Sequence, residues 1–182
     1  DGSGTFRFIG LRPGKYDVTA KLQGFTPAMA PAVDLRLGQI LTVDLALAVG
    51  GLQEQVSVTA ESPIIDTKQA ARQTNIRDEQ IALIPHGRDF TSLVTQAPGA
   101  NLEAKLGGLS IDGASGSENR FIIDGAETTD MVHGLSGTNL IVDFVDEVQV
   151  KSSGYTAEYG GAMGGVISAI TKSGTNAYHG TA

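Results

Sequence analysis

The chain is 182 residues long, carries a formal net charge of −7, and contains 24 glycines but no cysteine and no tryptophan. That length holds one or two small domains, and the acidic balance with scattered Lys and Arg excludes a nucleic-acid surface, which needs clustered cations to displace counterions. A disulfide framework and a Cys-ligated metal site are excluded outright, and no run approaches the ~18 consecutive apolar residues of a membrane-spanning helix.

The first strand signal is Thr5-Phe6-Arg7-Phe8-Ile9, with Phe6 and Phe8 on one side. Leu11-Arg12-Pro13-Gly14 reads as a turn, in which Pro presets φ and Gly supplies a positive one. Tyr16, Val18, Ala20 and Leu22 then alternate with Asp17, Thr19 and Lys21. Val33, Leu35 and Leu37 alternate with Asp34 and Arg36, and Leu41, Val43, Leu45, Leu47 and Val49 with Thr42, Asp44 and Ala46. Period-2 alternation marks half-buried strands, and several of them at short, regular spacing predict part of a β-sandwich. A connecting segment follows over residues 50–67. Within it, Gln55-Val56-Ser57-Val58-Thr59-Ala60 is alternating and β-prone, and Ser62-Pro63 stops it. One reading is a last sandwich strand or an ordered linker. The other is a backbone ladder that a partner captures by strand addition, a mode that needs little side-chain identity.

Beyond residue 67 the pattern changes. Ile76 to Ile84 reads as a short helix with Asp78 and Glu79 in its first turn, stopped by Pro85. Arg88 to Val94 reads as a second, ended near Pro98-Gly99. Leu109 to Asp112 and Arg120 to Asp124 are predicted strands, the latter closed by Asp124-Gly125, a turn-forming pair. Ala126 to Leu140 is a long Gly-, Thr- and Asp-rich loop, and long loops in compact domains tend to be functional. Val148 and Val150 alternate with Glu147, Gln149 and Lys151, which predicts a strand with one polar face. Tyr159 to Gly165 follows, and its glycines predict positions of positive φ or close approach at Gly160, Gly164 and Gly165. Val166 to Thr171 is a last strand, stopped by Lys172-Ser173-Gly174-Thr175-Asn176.

Chemistry is poorly represented. His86, His133 and His179 lie far apart, with no spacing for a metal triad. Asp124, Asp130 and His133 could converge, but Asp124 reads better as a turn former. The glycine run lacks the Lys-Ser/Thr of a phosphate loop and precedes a strand, so it offers no helix N-terminus to an anion. Ser57, Ser62 and Ser115 sit in no Gly-x-Ser-x-Gly elbow. No catalytic residue, metal site or cofactor is therefore expected.

The opening DGSGTFRFIGLRPGKYDVTAKLQGF resembles the carboxypeptidase-regulatory-like domain, a small transthyretin-like sandwich without peptidase activity. In that family one or two strands precede this segment, so an incomplete sheet with an unpaired edge is expected. The segments IPHGRDFTSLVTQAPG, Ile122-Ile123-Asp124-Gly125, VDEVQV, AEYG, GGVI and TKSGTN resemble, in that order, the plug domain of TonB-dependent outer-membrane receptors. The resemblance implies a mostly β, α+β chain: an incomplete β-sandwich over 1–49, a linker over 50–67, a plug over 68–176 and the start of a transmembrane barrel at 177–182, the barrel itself lying beyond this sequence. It implies three partners: the chain's own C-terminal barrel, the TonB energy-coupling protein and an imported ligand of unknown identity. It also implies an outer-membrane location with the first domain periplasmic.

Gln55, Val56, Ser57, Val58, Thr59 and Ala60 resemble a TonB box. Pro85, Arg88, Asp124, Gly125, Glu158, Tyr159, Gly160, Gly164, Gly165, Thr171, Gly174 and Asn176 fall on the plug motif as structural or gating positions. Arg88, Glu147, Lys151, Glu158 and Lys172 are the expected contacts with a polar barrel wall. An extracellular β-sandwich adhesin or carbohydrate-binding module is the competing reading, and it accounts for residues 1–49 alone. The start on Asp1 without Met and the end just past His179-Gly180 read as cut, so a fragment of a larger protein is expected.

Overall fold

The computed structural model describes residues 4–49, 56–57, 71–104, 107–130, 132–174 and 176, and the chain divides into two units, 1–67 and 68–182. In the first unit, β1 (Gly14–Ala20) pairs antiparallel with β2 (Ala28–Leu35), and β3 (Val56–Ser57) adds parallel to the far side of β2. Tyr16, Val18 and Ala20 are half-buried while Lys15, Asp17 and Thr19 are exposed, as period-2 geometry requires. The register slips between Tyr16 and Val18, opposite Pro31-Ala32. Pro31 has no N–H to donate, and the Ala32 N–H, at φ 53°, turns to Asp17 Oδ1 at 2.8 Å.

Among the described residues the other two predicted strands of this unit join no ladder. Leu41, Val43, Leu45 and Leu47 do alternate in burial with Thr42, Asp44, Ala46 and Ala48. Among the described residues their stretch is hydrogen-bonded to the rest through a bridge between Phe25 and Val49 and the Thr26 N–H to Ala48 O bond at 2.8 Å, and Leu41 and Val43 share a cavity with Tyr16, Val18, Val33 and Leu35. Residues 5–9 likewise carry no strand. Alternation reports which side is apolar. A ladder additionally needs a hydrogen-bonded neighbour, which the pattern cannot specify.

The second unit is mixed α+β. Its elements are β4 (Arg72–Arg77), α1 (Asp78–Ile81), α2 (Thr91–Val94), β5 (Ala100–Leu102), β6 (Leu109–Ile111), β7 (Arg120–Ile123), β8 (Ala126–Glu127), β9 (Val145–Ser153) and β10 (Val166–Thr171). Five of the strands form one sheet in the order β4-β9-β10-β7-β8, and β5 and β6 make a separate hairpin. All neighbours in the larger sheet are antiparallel except β10 and β7. One face of that sheet presents Ile76, Val148, Val150, Ile167, Ala169 and Phe121 to Ile81, Phe90, Leu93, Val94, Leu109 and Ile111, and this is the core. Phe90 and Phe121 meet edge to face at its centre, with centroids 6.4 Å apart and planes at 89°.

Two expectations are corrected here. The predicted helix over Ile76–Ile84 starts only at Asp78, because Ile76 and Arg77 complete β4. The Gln80 side chain closes the turn by accepting the Arg77 N–H at 3.2 Å. β4 was not legible as a strand because RQTNIR is almost wholly polar, which an edge strand tolerates. The second predicted helix shortens to Thr91–Val94, started by Asp89 Oδ1, which accepts the Thr91 N–H at 2.9 Å. Among the described residues no helix is long and apolar enough to cross a membrane, which leaves a β-barrel untouched as a question.

Candidate functional site

The functional candidates gather around β9, β10 and the turns at their ends. β9 is the second strand of five and is buried on both faces: Val148 and Val150 point into the core, while Glu147, Gln149 and Lys151 point to the other side and are 2%, 1% and 7% exposed. This corrects the expectation that Glu147 and Lys151 face a barrel wall as surface groups. The buried groups are partnered. Asn75 donates to Glu147 Oε1, Gln149 Nε2 donates to Asn75 Oδ1 at 3.3 Å, and Lys151 Nζ donates to the Tyr159 hydroxyl at 2.8 Å. The Lys151 ammonium also lies 4.2 Å from the Tyr159 ring centroid, a cation–π contact.

At one end of the sheet the structure joins two motif residues far apart in sequence. Asp124 and Gly125 both have positive φ, 49° and 84°, and Ile123 pairs with Ala126, so the two residues form the tight primed turn that suits a hairpin's twist. The Asp124 carboxylate then reaches the last residue of β10. It accepts the Thr171 N–H at 3.0 Å and the Thr171 hydroxyl at 2.7 Å. Beside it, the Lys172 N–H donates to Phe144 O at 2.8 Å and Lys172 Nζ lies 3.7 Å from Asp78 Oδ2. The end of β10 is therefore clamped by two turns and an ion pair. Asp146, next to this cluster, has its pKa raised by burial and by the like charge of Asp78, with Lys172 and Arg77 opposing.

At the opposite end lies the glycine-rich segment. Gly164 and Gly165 are buried and closely packed: a Cβ on Gly164 would fall 2.6 Å from Asn119 Oδ1, and one on Gly165 2.3 Å from Ile111 Cδ1. Asn119, 4% exposed, is the post they pack on, since its Oδ1 accepts the Gly165 N–H at 2.8 Å and its Nδ2 donates to Leu109 O. Nothing in the motif flagged Asn119. Gly160 is exposed with an ordinary φ of −52°, and a Cβ there would fall 3.3 Å from Ala157 O; the positive φ falls on Gly161.

The remaining candidates are dispersed. Pro85 and Arg88 are exposed, and Arg88 contributes its carbonyl to the Val142 N–H at 3.0 Å. Glu158 is exposed and accepts the Thr156 hydroxyl at 2.7 Å, and Gly174 and Asn176 are exposed at the end of the described chain. Of the coupling segment, Val56 and Ser57 form β3, while Gln55, Val58, Thr59 and Ala60 lie outside the described residues. The loop predicted over Ala126–Leu140 begins only after β8, because Ala126 and Glu127 pair with Ile123 and Ile122; it then bends back on itself through a Thr129–Ser136 bridge, and Asp130 organises its tip by accepting from the Val132 N–H at 2.9 Å and pairing with His133 Nδ1 at 2.7 Å. The His133 hydrogen bond first, and the Val132 N–H second, hold the Asp130 carboxyl below its ordinary range. Beside the loop opens a cavity of about 460 Å³ with Leu109 and Phe121 in its floor and Asp89, Thr138 and Asn139 among its polar lining. Among the described residues no three His, Cys, Asp or Glu side chains group as a metal site.

Comparison with known proteins sets this geometry in context. Residues 1–48 match the family model of the carboxypeptidase regulatory-like domain, and residues 65–166 match that of the TonB-dependent receptor plug domain. Over 190 residues the chain is 34% identical to the TonB-dependent transporter Oar of Myxococcus xanthus, covering 100% of this chain and 18% of that protein. Among solved structures, the outer membrane transporter YddB of Escherichia coli shares the fold at a TM-score of 0.50 and 24% identity, over 56% of this chain and 17% of that one. The siderophore receptor PirA of Pseudomonas aeruginosa aligns at a TM-score of 0.48 and 29% identity, over 59% of this chain and 19% of that one. The chain thus spans under a fifth of the length of each of these relatives.

Proposed function

The chain belongs to the TonB-dependent receptor family, and from that premise we propose that it is the plug and periplasmic N-terminal part of an outer-membrane transporter that gates energy-coupled uptake of a ligand. Residues 1–49 form the regulatory-like sandwich, 50–67 the linker, 68–176 the plug, and 177–182 the approach to a barrel. The observation that carries this reading is the plug match itself, which runs from residue 65 through β4 to β9 and ends on Val166, the first residue of β10. An adhesin or carbohydrate-binding module accounts for the first unit and leaves that match unexplained.

In this reading the plug closes the lumen of a barrel of about 22 strands, the size class whose lumen is plugged. Clamping of Thr171 and Lys172 fixes where the chain leaves the sheet for the barrel. The loop 126–140 and its neighbouring cavity line the ligand vestibule, and Gln55 to Ala60 is the segment grasped by the energy-coupling protein. Support for that last role is that, among the described residues, β3 is the outermost strand of its sheet, the position at which strand addition occurs.

The direct test deletes residues 68–176 from the full-length receptor and measures outer-membrane permeability to a large hydrophilic antibiotic. A barrel that inserts normally but has lost its plug is expected to admit the antibiotic. Unchanged permeability with normal insertion overturns the reading.

A further inference from the structure

We propose that Tyr155–Met163, within the connection between β9 and β10, is a latched strap whose release uncovers a polar passage along one face of the plug sheet. Antiparallel neighbours can be joined by two residues. Here β9 ends at Ser153 and β10 starts at Val166, so twelve residues, 154–165, make the connection. They fold back over the face of the sheet that lies away from the core.

The strap is fastened unequally. Its C-terminal end is seated through backbone groups, with the Met163 and Gly164 N–H groups both donating to Glu118 O at 3.0 and 2.9 Å, and the packing at Gly164 and Gly165 leaves no slack there. Among the described residues the rest is tied by the side chains of Lys151, Arg120 and Tyr155, the Tyr155 hydroxyl donating to Ala162 O at 3.1 Å and Gly164 O at 2.9 Å. Lys151 holds Tyr159 through its hydroxyl and its ring, and the Arg120 guanidinium holds Gly160 O. Tyr155 braces Tyr159 edge-on, with ring centroids 6.3 Å apart. Such a strap lifts when the Lys151 and Arg120 ties yield, and it swings from a seat that stays put.

What lies beneath gives the lifting a driving force. Gln73, Lys151, Val166 and Arg120 occupy one rung across four adjacent strands and share the face away from the core. Among the described residues, Gln73 Oε1 and Arg120 Nε are buried on this rung without a hydrogen-bond partner. Buried polar atoms left unpaired are costly, and admitted water would satisfy them. The closed strap therefore covers a surface that gains from hydration, and a closed state of that kind is readily reversed. The plug reading supplies the use of such a passage, not its geometry.

The chain has no cysteine, so single cysteines are clean reporters. Val166 and Ile167 are both 0% exposed and point to opposite faces, Ile167 to the core and Val166 to the face that carries Lys151 and Arg120. In the 182-residue chain carrying Val166→Cys or Ile167→Cys, a maleimide is added with and without Tyr159→Ala, and again with the milder Lys151→Met. Losing a hydrogen bond and a cation–π contact is expected to speed labelling at position 166 about tenfold and to leave position 167 unchanged. Any other pattern, whether silence at both positions or equal acceleration at both, overturns the strap. Labelling needs no barrel, ligand or energy-coupling partner, so this result stands or falls apart from the transport reading.

Discussion

An added Cβ at Gly165 would lie 2.3 Å from Ile111 Cδ1 and 3.1 and 3.2 Å from its Cγ2 and Cβ, and Ile111 is 1% exposed. Overpacking of that kind costs ~1–3 kcal/mol, so Gly165→Ala is expected to lower the thermal midpoint of the chain clearly. Gly160→Ala is the matched control. Its φ of −52° suits any residue and its nearest non-neighbour atom is 3.3 Å away, so a loss below ~1 kcal/mol is expected. Equal losses at the two positions would show that close packing is not what the second glycine provides. A different residue-scale effect operates at Asp146. Burial and the charge of Asp78 raise its pKa, so the folded chain binds this proton more tightly than the unfolded chain does. The stability it contributes is complete below the ordinary carboxylate range and is lost as pH rises through the raised value. Asp146→Asn is therefore expected to stabilise the chain at pH 7, by under ~1 kcal/mol given its partial exposure, and to lose that advantage at pH 3. Melting curves at the two pH values check the sign.

Between elements, the informative contact is the one from the β7–β8 turn to the end of β10. Asp124 serves the turn through its positive φ and serves β10 through two bonds to Thr171. Asp124→Ala removes both functions and is expected to cost ~1–2 kcal/mol and to speed amide exchange at Thr171. Asp124→Asn, which tolerates the left-handed conformation and keeps one acceptor, is expected to lose less. If the Thr171 amide exchanges at the same rate in all three proteins, the carboxylate does not hold the strand end. The turn was readable from Asp124-Gly125 alone, because its conformational demand is local. Its bond to Thr171 spans 47 residues of sequence and follows only from the parallel pairing of β7 with β10. β4 is the opposite case, an almost entirely polar strand visible only once β9 is beside it.

For the whole molecule, the open matter is how force enters the plug. Val58→Pro removes one backbone donor from the proposed coupling segment and leaves the plug untouched. In the full-length receptor the expected outcome is normal ligand binding with lost import, read by binding and uptake assays on the same cells. Normal import would return Gln55 to Ala60 to the role of linker or sandwich strand. The sequence by itself determined the family motifs in their order, the turn at Asp124-Gly125 and the strand over Val166 to Thr171, because these depend on local conformational preference and short-range periodicity. It also marked Gly164 and Gly165 as special without saying why. Only the tertiary structure decided that Glu147, Gln149 and Lys151 are buried, that Asn119 is the post on which the glycines pack, and that the alternating stretch of Leu41 to Leu47 finds no ladder. Burial of a polar residue depends on which strands flank it and what crosses above it. Those neighbours come from distant parts of the chain, and a period of two along one strand carries no record of them.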